Sequence, residues 1–289
     1  MPELPEAETI VRGLRTAVVG STITDTEVIH ADVLRETKRR FADKVRGRTI
    51  TGVERRGKNV VLVLDGGRVV AVNLGMTGRL LPLPARPAKA QRPAHAAVRF
   101  RLRSHGWLVF DDTRRFGTVE CLSDDEWAVR SARMGPEPLG PGLTPEALHL
   151  ALSASRAPVR SWLLDQRKVA GVGNIYANEA LYLAGIHPQT EARAVGRLAA
   201  ARLYDGVRTV LWRAIDAGGT TLRDYRNADG EEGRFAPSLL VYGRDGNACG
   251  QCGRTIVRTV FGGRAAFHCP GCQPKARRRL HARGRRGTT

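Results

Sequence analysis

The chain has 289 residues with 47 basic against 28 acidic side chains, a formal net charge of +19 and a sequence pI near 10.9, which favours a polyanionic partner. With 42% hydrophobic residues there is material for one or two domains with sizeable cores, so wholesale disorder is excluded. No run approaches the ~20 apolar residues of a membrane span, and the opening MPELPEAE is acidic where a secretory signal is basic and then apolar, so a soluble cytoplasmic protein is expected.

Residues 5–19 place Ile10, Val11, Leu14 and Val18 at helical spacing and stop at Gly20, which predicts an amphipathic N-terminal helix. From Thr22 to about Leu122 the runs TITDTEVI, NVVLVL, RVVAVNL, AAVRFRL and WLVFDD are rich in β-branched and aromatic residues, with DGG and SHG between them. They predict a β-sandwich over 1–133. Within it, residues 82–95 are too polar and proline-broken for a strand and read as a surface loop. The segment MGPEPLGPGLTP at 134–145 reads as an interdomain connection. Beyond it TPEALHLALSAS, APVRSWLLDQRK, NIYANEALYLAG and the stretch from Glu191 to Ala217 carry helical periodicity. They predict a helical domain over 146–236, then a small cysteine module over 237–273. The fold class is therefore α+β in two domains. The tail at 274–289 holds Lys275, Arg277, Arg278, Arg279, Arg283, Arg285 and Arg286 without an acid, a composition expected of a disordered polyanion-binding tail.

Cysteine usage points to a metal rather than to disulfides. Cys249 and Cys252 form one CxxC pair and Cys269 and Cys272 a second, spaced as in four-thiolate structural zinc sites, while Cys121 stands apart as a small buried hydrophobe. One structural Zn2+ is expected, with no open position for catalysis. Between the pairs, TIVRTVFGGRAAFH reads as a β-hairpin turning at Gly262-Gly263, with Arg264 at or just after the turn, well placed to grip phosphate. The neighbouring His268 reads as a surface histidine.

In RKVAGVGNIYANEAL a helix ending near Lys168 is followed by a glycine-bearing turn and a new helix opened by Asn174, whose backbone N–H groups could face an anion. Arg156, Arg160 and Arg167 precede it. Pro2 follows the initiator methionine, whose removal leaves a secondary amine with a pKa near ~8, partly unprotonated at neutral pH and able to attack an aldehyde carbon. The resulting iminium is an electron sink. Glu3 lies beside it as a potential proton donor or charge stabiliser, with Glu6 a helical turn further on. Each of these features also has an ordinary reading: a helix-opening Pro-Glu, a helical hairpin, a solvated charge at Arg264.

Taken together, PELPEAETIVRGLR, RRGKNVVL, NLGMTGRL, DDTRRFG, MGPEPLG, LLDQRKVAGVGNIYANEALYLAGIHP, GGTTLRDY and the two cysteine pairs resemble bacterial formamidopyrimidine-DNA glycosylases in the order of their motifs, over residues 2 to 273. The resemblance implies a β-sandwich, a helix-two-turn-helix domain and a zinc-finger hairpin, with double-stranded DNA carrying an oxidised base in the basic cleft between domains, and a monomer. It implies Pro2 as Schiff-base nucleophile, Glu3 as general acid/base, Lys58 as proton donor and phosphate contact, and Arg264 as a phosphate contact linked to δ-elimination. Alone, Lys58 would be a surface charge and Met76 core packing. In the family, residues matching Met76, Arg114 and Phe116 fill the space left by a flipped-out nucleotide, as suits an unbranched thioether, a guanidinium and an aromatic ring. His95, Arg156, Arg160 and Asn174 fall on its DNA contacts, and residues 218–225 on the loop over the everted base. This chain departs from the pattern at Asn73, Ala97 and Arg160, where relatives often carry His, His and Lys.

The implied activity is that of a bifunctional DNA glycosylase and abasic-site lyase of base excision repair, acting on 8-oxoguanine and formamidopyrimidines with β,δ-elimination. Two alternatives are an endonuclease VIII-like preference for oxidised pyrimidines, against which PELPE, NLGM and RRFG argue, and a non-catalytic DNA-binding protein driven by charge.

Overall fold

The computed structural model describes residues 2–275, except His105, Arg223, Asp224, Asp229 and the side chain of Ala90. Met1 and the basic tail from 276 onward, for which disorder is expected from composition, lie outside the described residues.

The N-terminal helix α1 (Leu4–Val18) carries Pro5 in its first turn, where no backbone donor is lost. Ala7, Ile10, Val11, Leu14 and Val18 line its core-facing stripe. The chain then forms β1 (Ile23–Val28), α2 (Lys38–Val45), β2 (Ile50–Arg56), β3 (Asn59–Leu64), β4 (Arg68–Asn73), β5 (Gly78–Leu83), β6 (Ala96–Leu102), β7 (Gly106–Asp112), β8 (Thr118–Ser123) and α3 (Asp124–Ala132). Two antiparallel four-stranded sheets, ordered β1-β6-β7-β5 and β2-β3-β4-β8, face each other as the expected sandwich. Between them lie Ile23, Val60, Leu62, Val70, Val72, Phe100, Leu108 and Phe110.

The alternation of strand direction sorts the turns to two ends of the sandwich. At one end Arg56 pairs with Asn59, Asn59 with Asn73, and Asn73 with Thr118, while Gly78 pairs with Asp112 and Ala96 with Asp111. The turns bearing Lys58, Met76, Arg114, Phe116 and His95 all gather there. At the opposite end Leu64 pairs with Arg68, Leu102 with Gly106 and Leu83 with Trp107.

The helical domain contains α4 (Pro145–Ser153), capped by the Thr144 hydroxyl, then α5 (Val159–Leu164), α6 (Asn174–Ala184) and α7 (Arg197–Asp216). It is followed by the hairpin β9 (Val257–Phe261) and β10 (Arg264–His268). Gly262 and Gly263 have φ of 56° and 73°, the left-handed pair a two-residue hairpin turn requires, and Arg264 pairs with Phe261 as the first residue after it.

Four expectations need correction. The helix preceding the glycine turn ends at Leu164 rather than near Lys168, because the Gln166 side chain replaces helical hydrogen bonds: its amide donates to the carbonyls of Leu164 and Val172 and accepts from the Gly171 N–H. Pro82 and Leu83 lie in β5, at a sheet edge where a proline costs no ladder bond. Glu191–Ala217 is not continuous helix, since a single 3-10 turn at Ala192–Ala194 and Gly196 precede α7. His268 is buried, edge-on to His187 at 4.6 Å between ring centroids. Cys121 is fully buried, as expected of a small hydrophobe.

The two domains are joined by more than the connecting chain. Glu137 accepts from Arg55 Nη1 at 2.5 Å, Arg56 Nη1 at 2.9 Å and the Gly57 N–H at 2.6 Å, so one carboxylate grips the β2–β3 turn. Arg56 Nη2 also donates to the carbonyls of Ser131, Met134 and Gly135. Because this carboxylate is three-quarters buried, Glu137→Ala leaves the Gly57 N–H and the Arg56 guanidinium without it and Arg55 with Glu8 as its only carboxylate partner among the described residues, and an unfolding free energy lowered by about 2 kcal/mol is expected in denaturant titration. Glu137→Gln, which keeps one acceptor, falls between.

Candidate functional site

The N-terminus of α6 organises the site. Glu3, the residue before α1, sends its carboxylate into this helix end, where Oε1 accepts from the Ile175 N–H at 2.9 Å and Oε2 from the Tyr176 N–H at 3.5 Å. A carboxylate is favoured there by the free N–H groups and the positive end of the helix dipole. The approach depends on Gly173: a Cβ at that position would lie 2.3 Å from the Glu3 carboxyl carbon and 2.6 Å from Lys58 Nζ. The ammonium of Lys58, carried in the β2–β3 turn, and the carboxylate of Glu3 thus close over one glycine; Pro2, which precedes Glu3 in the chain, is buried.

Burial governs the protonation of this group. It pushes the Glu3 carboxyl above its ordinary 4.5 despite the opposing pull of Lys58. It pushes the Lys58 ammonium below its ordinary 10.5, with Arg264 adding to that direction and Glu3 and Glu6 opposing it. Glu6 is buried too and is also raised above its ordinary value, chiefly by burial. Its Oε2 accepts from the Glu3 N–H at 2.8 Å, and its Oε1 from the Tyr176 hydroxyl at 2.5 Å and the Thr220 N–H at 2.8 Å. Glu6 therefore ties the N-terminus to the loop at 218–225, of which Arg223 and Asp224 lie outside the described residues. Gly218 and Gly219 have φ of 75° and 91°, suiting a hinge at the loop's start.

The hairpin is held against the same helix. Asn174 Nδ2 donates to the Ala265 carbonyl at 3.1 Å, Asn178 Oδ1 accepts from the Phe267 N–H at 2.9 Å, and Glu179 accepts from the N–H groups of Leu240, Val241 and Tyr242 at 2.8–2.9 Å. Arg264, next to Ala265, is brought near Lys58 and Arg160, on both of which its charge acts. Arg160, expected at a phosphate-facing position, is only 2% exposed. Its Nη2 donates to Asn174 Oδ1 and to the Ala265 carbonyl at 2.7 Å. Arg156 is exposed, and Arg167 is exposed and paired with Asp165.

Met76 (38% exposed) and Phe116 (58% exposed) stand on loops pressed together: a Cβ on Gly75 would lie 2.5 Å from the Gly117 nitrogen. The Arg114 guanidinium lies 4.6 Å from the Phe116 ring centroid. Asp112, buried, shapes their loop by accepting from the N–H groups of Arg114 and Gly117 and from the Thr77 hydroxyl. Exposed His95 donates its N–H to Asp111. Asn73 bridges Asn59 and the Gly75 N–H, while Ala97 is buried in the sandwich core. Tyr176, Asn178, Glu179, Asp112 and Glu137 were not singled out from sequence; only the spacing of Asn174 and Asn178, four residues apart on one helix face, offered a signal.

The four thiol sulfurs of Cys249, Cys252, Cys269 and Cys272 lie within 4.8 Å of one another and could hold a metal ion. Sγ–Sγ separations of 3.8 Å for Cys249–Cys272 and 3.3 Å for Cys252–Cys269 approach the ~3.8 Å edge of a tetrahedron of sulfurs ~2.3 Å from a central ion.

Comparisons with known proteins agree along nearly the whole chain. The sequence models of the formamidopyrimidine-DNA glycosylase N-terminal domain and of its H2TH domain match residues 1–119 and 134–226. A formamidopyrimidine-DNA glycosylase of Rhizorhabdus wittichii is 44% identical over 275 residues, covering 94% of this chain and 100% of that protein. One from Xanthomonas campestris pv. campestris is 42% identical over 279 residues, with the same coverage. Among solved structures, a mutant Lactococcus lactis Fpg in complex with Fapy-dG-containing DNA superposes with a TM-score of 0.88 at 32% identity, covering 95% of this chain and 100% of that one. The MutM (Fpg) protein of Thermus thermophilus gives 0.85 at 38% identity, covering 96% and 100%.

Since burial raises the Glu3 carboxyl, the folded chain binds a proton more readily there than the unfolded chain does. Its contribution is present below the ordinary value of 4.5 and is lost as pH rises through the raised one. Glu3→Gln keeps an acceptor for the Ile175 N–H and removes the buried charge. It is therefore expected to melt above the parent at about pH 8, with the difference closing in acid, by thermal denaturation across pH.

Proposed function

The chain belongs to the formamidopyrimidine-DNA glycosylase family, and we propose from that premise how its residues divide the work. It is a DNA glycosylase and abasic-site lyase of base excision repair, and its family name accords with oxidised purines as its lesions. The single observation that carries the assignment of roles is the meeting of Glu3 and Lys58 over Gly173, with Pro2 the residue before Glu3 in the chain, because imine chemistry needs an amine, a proton donor and a cation in one dehydrated place.

With the initiator methionine removed, Pro2 presents a secondary amine. Its nitrogen forms a bond to C1′ of the damaged nucleotide as the glycosidic bond breaks and the base leaves with a proton. Glu3, held protonated more readily by its burial, donates to the sugar ring oxygen as the ring opens to an iminium. The iminium draws electrons from C2′, whose proton is lost as the C3′–O bond breaks, and a second elimination breaks the C5′–O bond. Lys58, its charge eased by burial, serves the proton transfers and one phosphate. Arg264 and Asn174 hold phosphates from the hairpin and the α6 N-terminus. Met76, Arg114 and Phe116 enter the space of the flipped nucleotide, with His95 and Arg156 on the flanking backbone. Arg160 acts from behind, fixing the Ala265 carbonyl and hence the hairpin tip. The zone boundaries near 133, 145, 236 and 273 follow this division of labour, in a monomer of the cytoplasm.

The test is borohydride trapping on duplexes carrying 8-oxoguanine opposite cytosine, dihydrothymine, or an abasic site. A covalent protein–DNA band on the 8-oxoguanine duplex, lost in Pro2→Gly, is expected. Trapping on dihydrothymine alone would reassign the lesion class, and DNA binding with no trapping on any duplex would remove the catalytic roles.

The metal held by the four thiolates is zinc, which closes the hairpin and takes no part in the chemistry; four soft sulfur donors at these separations favour it. About one zinc per chain is expected by metal analysis. Stripping it with a chelator should abolish DNA binding while leaving the sandwich signal in near-ultraviolet circular dichroism.

A further inference from the structure

The sandwich end remote from the catalytic site is also basic and takes no part in the proposed reaction. There the β6–β7 turn, the chain leaving β5 and the residues after α2 enclose a groove of about 1080 Å³ lined by Arg46, Arg101, Arg103 and Trp107, with Asp25 as the sole acid. Its wall is built rather than incidental. Gly106, at φ +86°, lets the β6–β7 turn press on the chain after β5, and a Cβ there would lie 2.3 Å from the Ala85 nitrogen. Arg101 lies over the Trp107 ring at 5.8 Å from its centroid. Arg103 has no ion-pair or hydrogen-bond partner for its side chain among the described residues, and Arg46 pairs only with Asp25, both more than half exposed. A second groove across α2, lined by Arg39, Arg40, Asp43, Lys44, Arg48 and Arg68, is largely neutralised, since Arg39 pairs with Asp43, Arg40 and Lys44 with Glu36, and Arg48 with Asp65. Strands of six or seven residues separate this end from Lys58 and Met76 by about 20 Å, and the two sets of turns face away from each other at opposite ends of the sandwich.

We infer that this distal groove is a second, sequence-independent binding site for duplex DNA, taking the phosphate backbone of another segment while the cleft holds the first. Guanidinium groups suit phosphate by bidentate geometry, and the indole offers a flat face against the sugar edge. A protein that must search DNA for rare lesions gains from holding two segments, since it can pass between them without full release. The inference rests on the reading that the cleft takes damaged DNA.

The test occupies the cleft first. Full-length protein is trapped with borohydride on a short 8-oxoguanine duplex, and a labelled undamaged duplex is then titrated at rising salt by fluorescence anisotropy. The parent complex should bind the second duplex. The triple variant Arg46→Ser, Arg101→Ser, Arg103→Ser should bind it at least about tenfold more weakly, with a log–log salt slope smaller by about 2 to 3, one for each phosphate no longer neutralised. The corresponding triple Lys variant should retain most of the affinity, and equal trapping yields and melting temperatures show that the variants fold. Unchanged binding in the Ser variant would overturn the proposal, as would stronger binding of single-stranded RNA, or displacement of the duplex by polyglutamate as readily as by DNA. If the parent does not trap, the catalytic reading fails separately. The second site is then decided on free protein, by whether one or two duplexes bind per chain.

Discussion

Everything in the site depends on one carboxylate set into one helix end. Glu3 meets the free N–H groups of α6, and this fixes the chain's beginning, and so the Pro2 nitrogen, against the helical domain rather than the domain to which α1 otherwise belongs. The same helix then addresses a different partner at each turn: Asn174 and Asn178 hold the hairpin, and Glu179 holds the backbone leading to the cysteines. A helix serving so many partners is buried almost all round, which is why its sequence, NIYANEALYLA, lacks a solvent-facing stripe of charge. Its polar residues instead bond to buried neighbours, Asn174, Asn178 and Glu179 to backbone and Tyr176 and Tyr182 to side chains, as buried polar groups must.

This explains how two cores can act as one rigid frame for a reaction that spans them. Leu4 belongs to the helical-domain core, yet the next turns of α1 belong to the sandwich core. Leu4 also donates its N–H to Gly171 at 3.1 Å, in the turn that delivers Gly173. Glu137 with Arg55 and Arg56 locks the β2–β3 turn to the connecting segment, so the turn carrying Lys58 is fixed independently of Glu3. Lys58 and Glu3 thus meet over Gly173 by independent supports, as holding two groups in a fixed geometry requires.

Much of this was legible in sequence because its signals are local. Alternating β-branched runs gave the sandwich, Gly262-Gly263 gave the hairpin turn with Arg264 behind it, and two CxxC pairs gave the four-sulfur cluster. What escaped depends on long-range partners. Arg160 looks like any helix cation until the Ala265 carbonyl, far along the chain, closes on it. Glu137 sits in a proline-rich connection whose composition speaks only of a linker. The early end of α5 follows from a glutamine side chain standing in for backbone bonds, which no periodicity records. Pro82 escaped for a related reason: its tolerance depends on β5 being a sheet edge, a property of the assembled sheet.

The site's chemistry and its stability pull in opposite directions. Glu3, Glu6 and Lys58 are all pushed by burial toward their neutral forms, and desolvating charge weakens a fold unless it is paired. The pairing here is incomplete by design of position. Gly173 admits the Glu3 carboxylate and the Lys58 ammonium to one space, but these two groups form no direct ion pair among the described residues, which on the proposed roles leaves both able to exchange protons with a substrate. Full neutralisation would quiet the electrostatics and remove the proton donor. The compensation lies outside the site, in the aliphatic stripe of α1 and the apolar faces around α6, which hold the charged groups in place without neutralising them. On the proposed roles, a nucleophile that is the N-terminal amine needs such a frame, because the amine is held only through the chain that follows it.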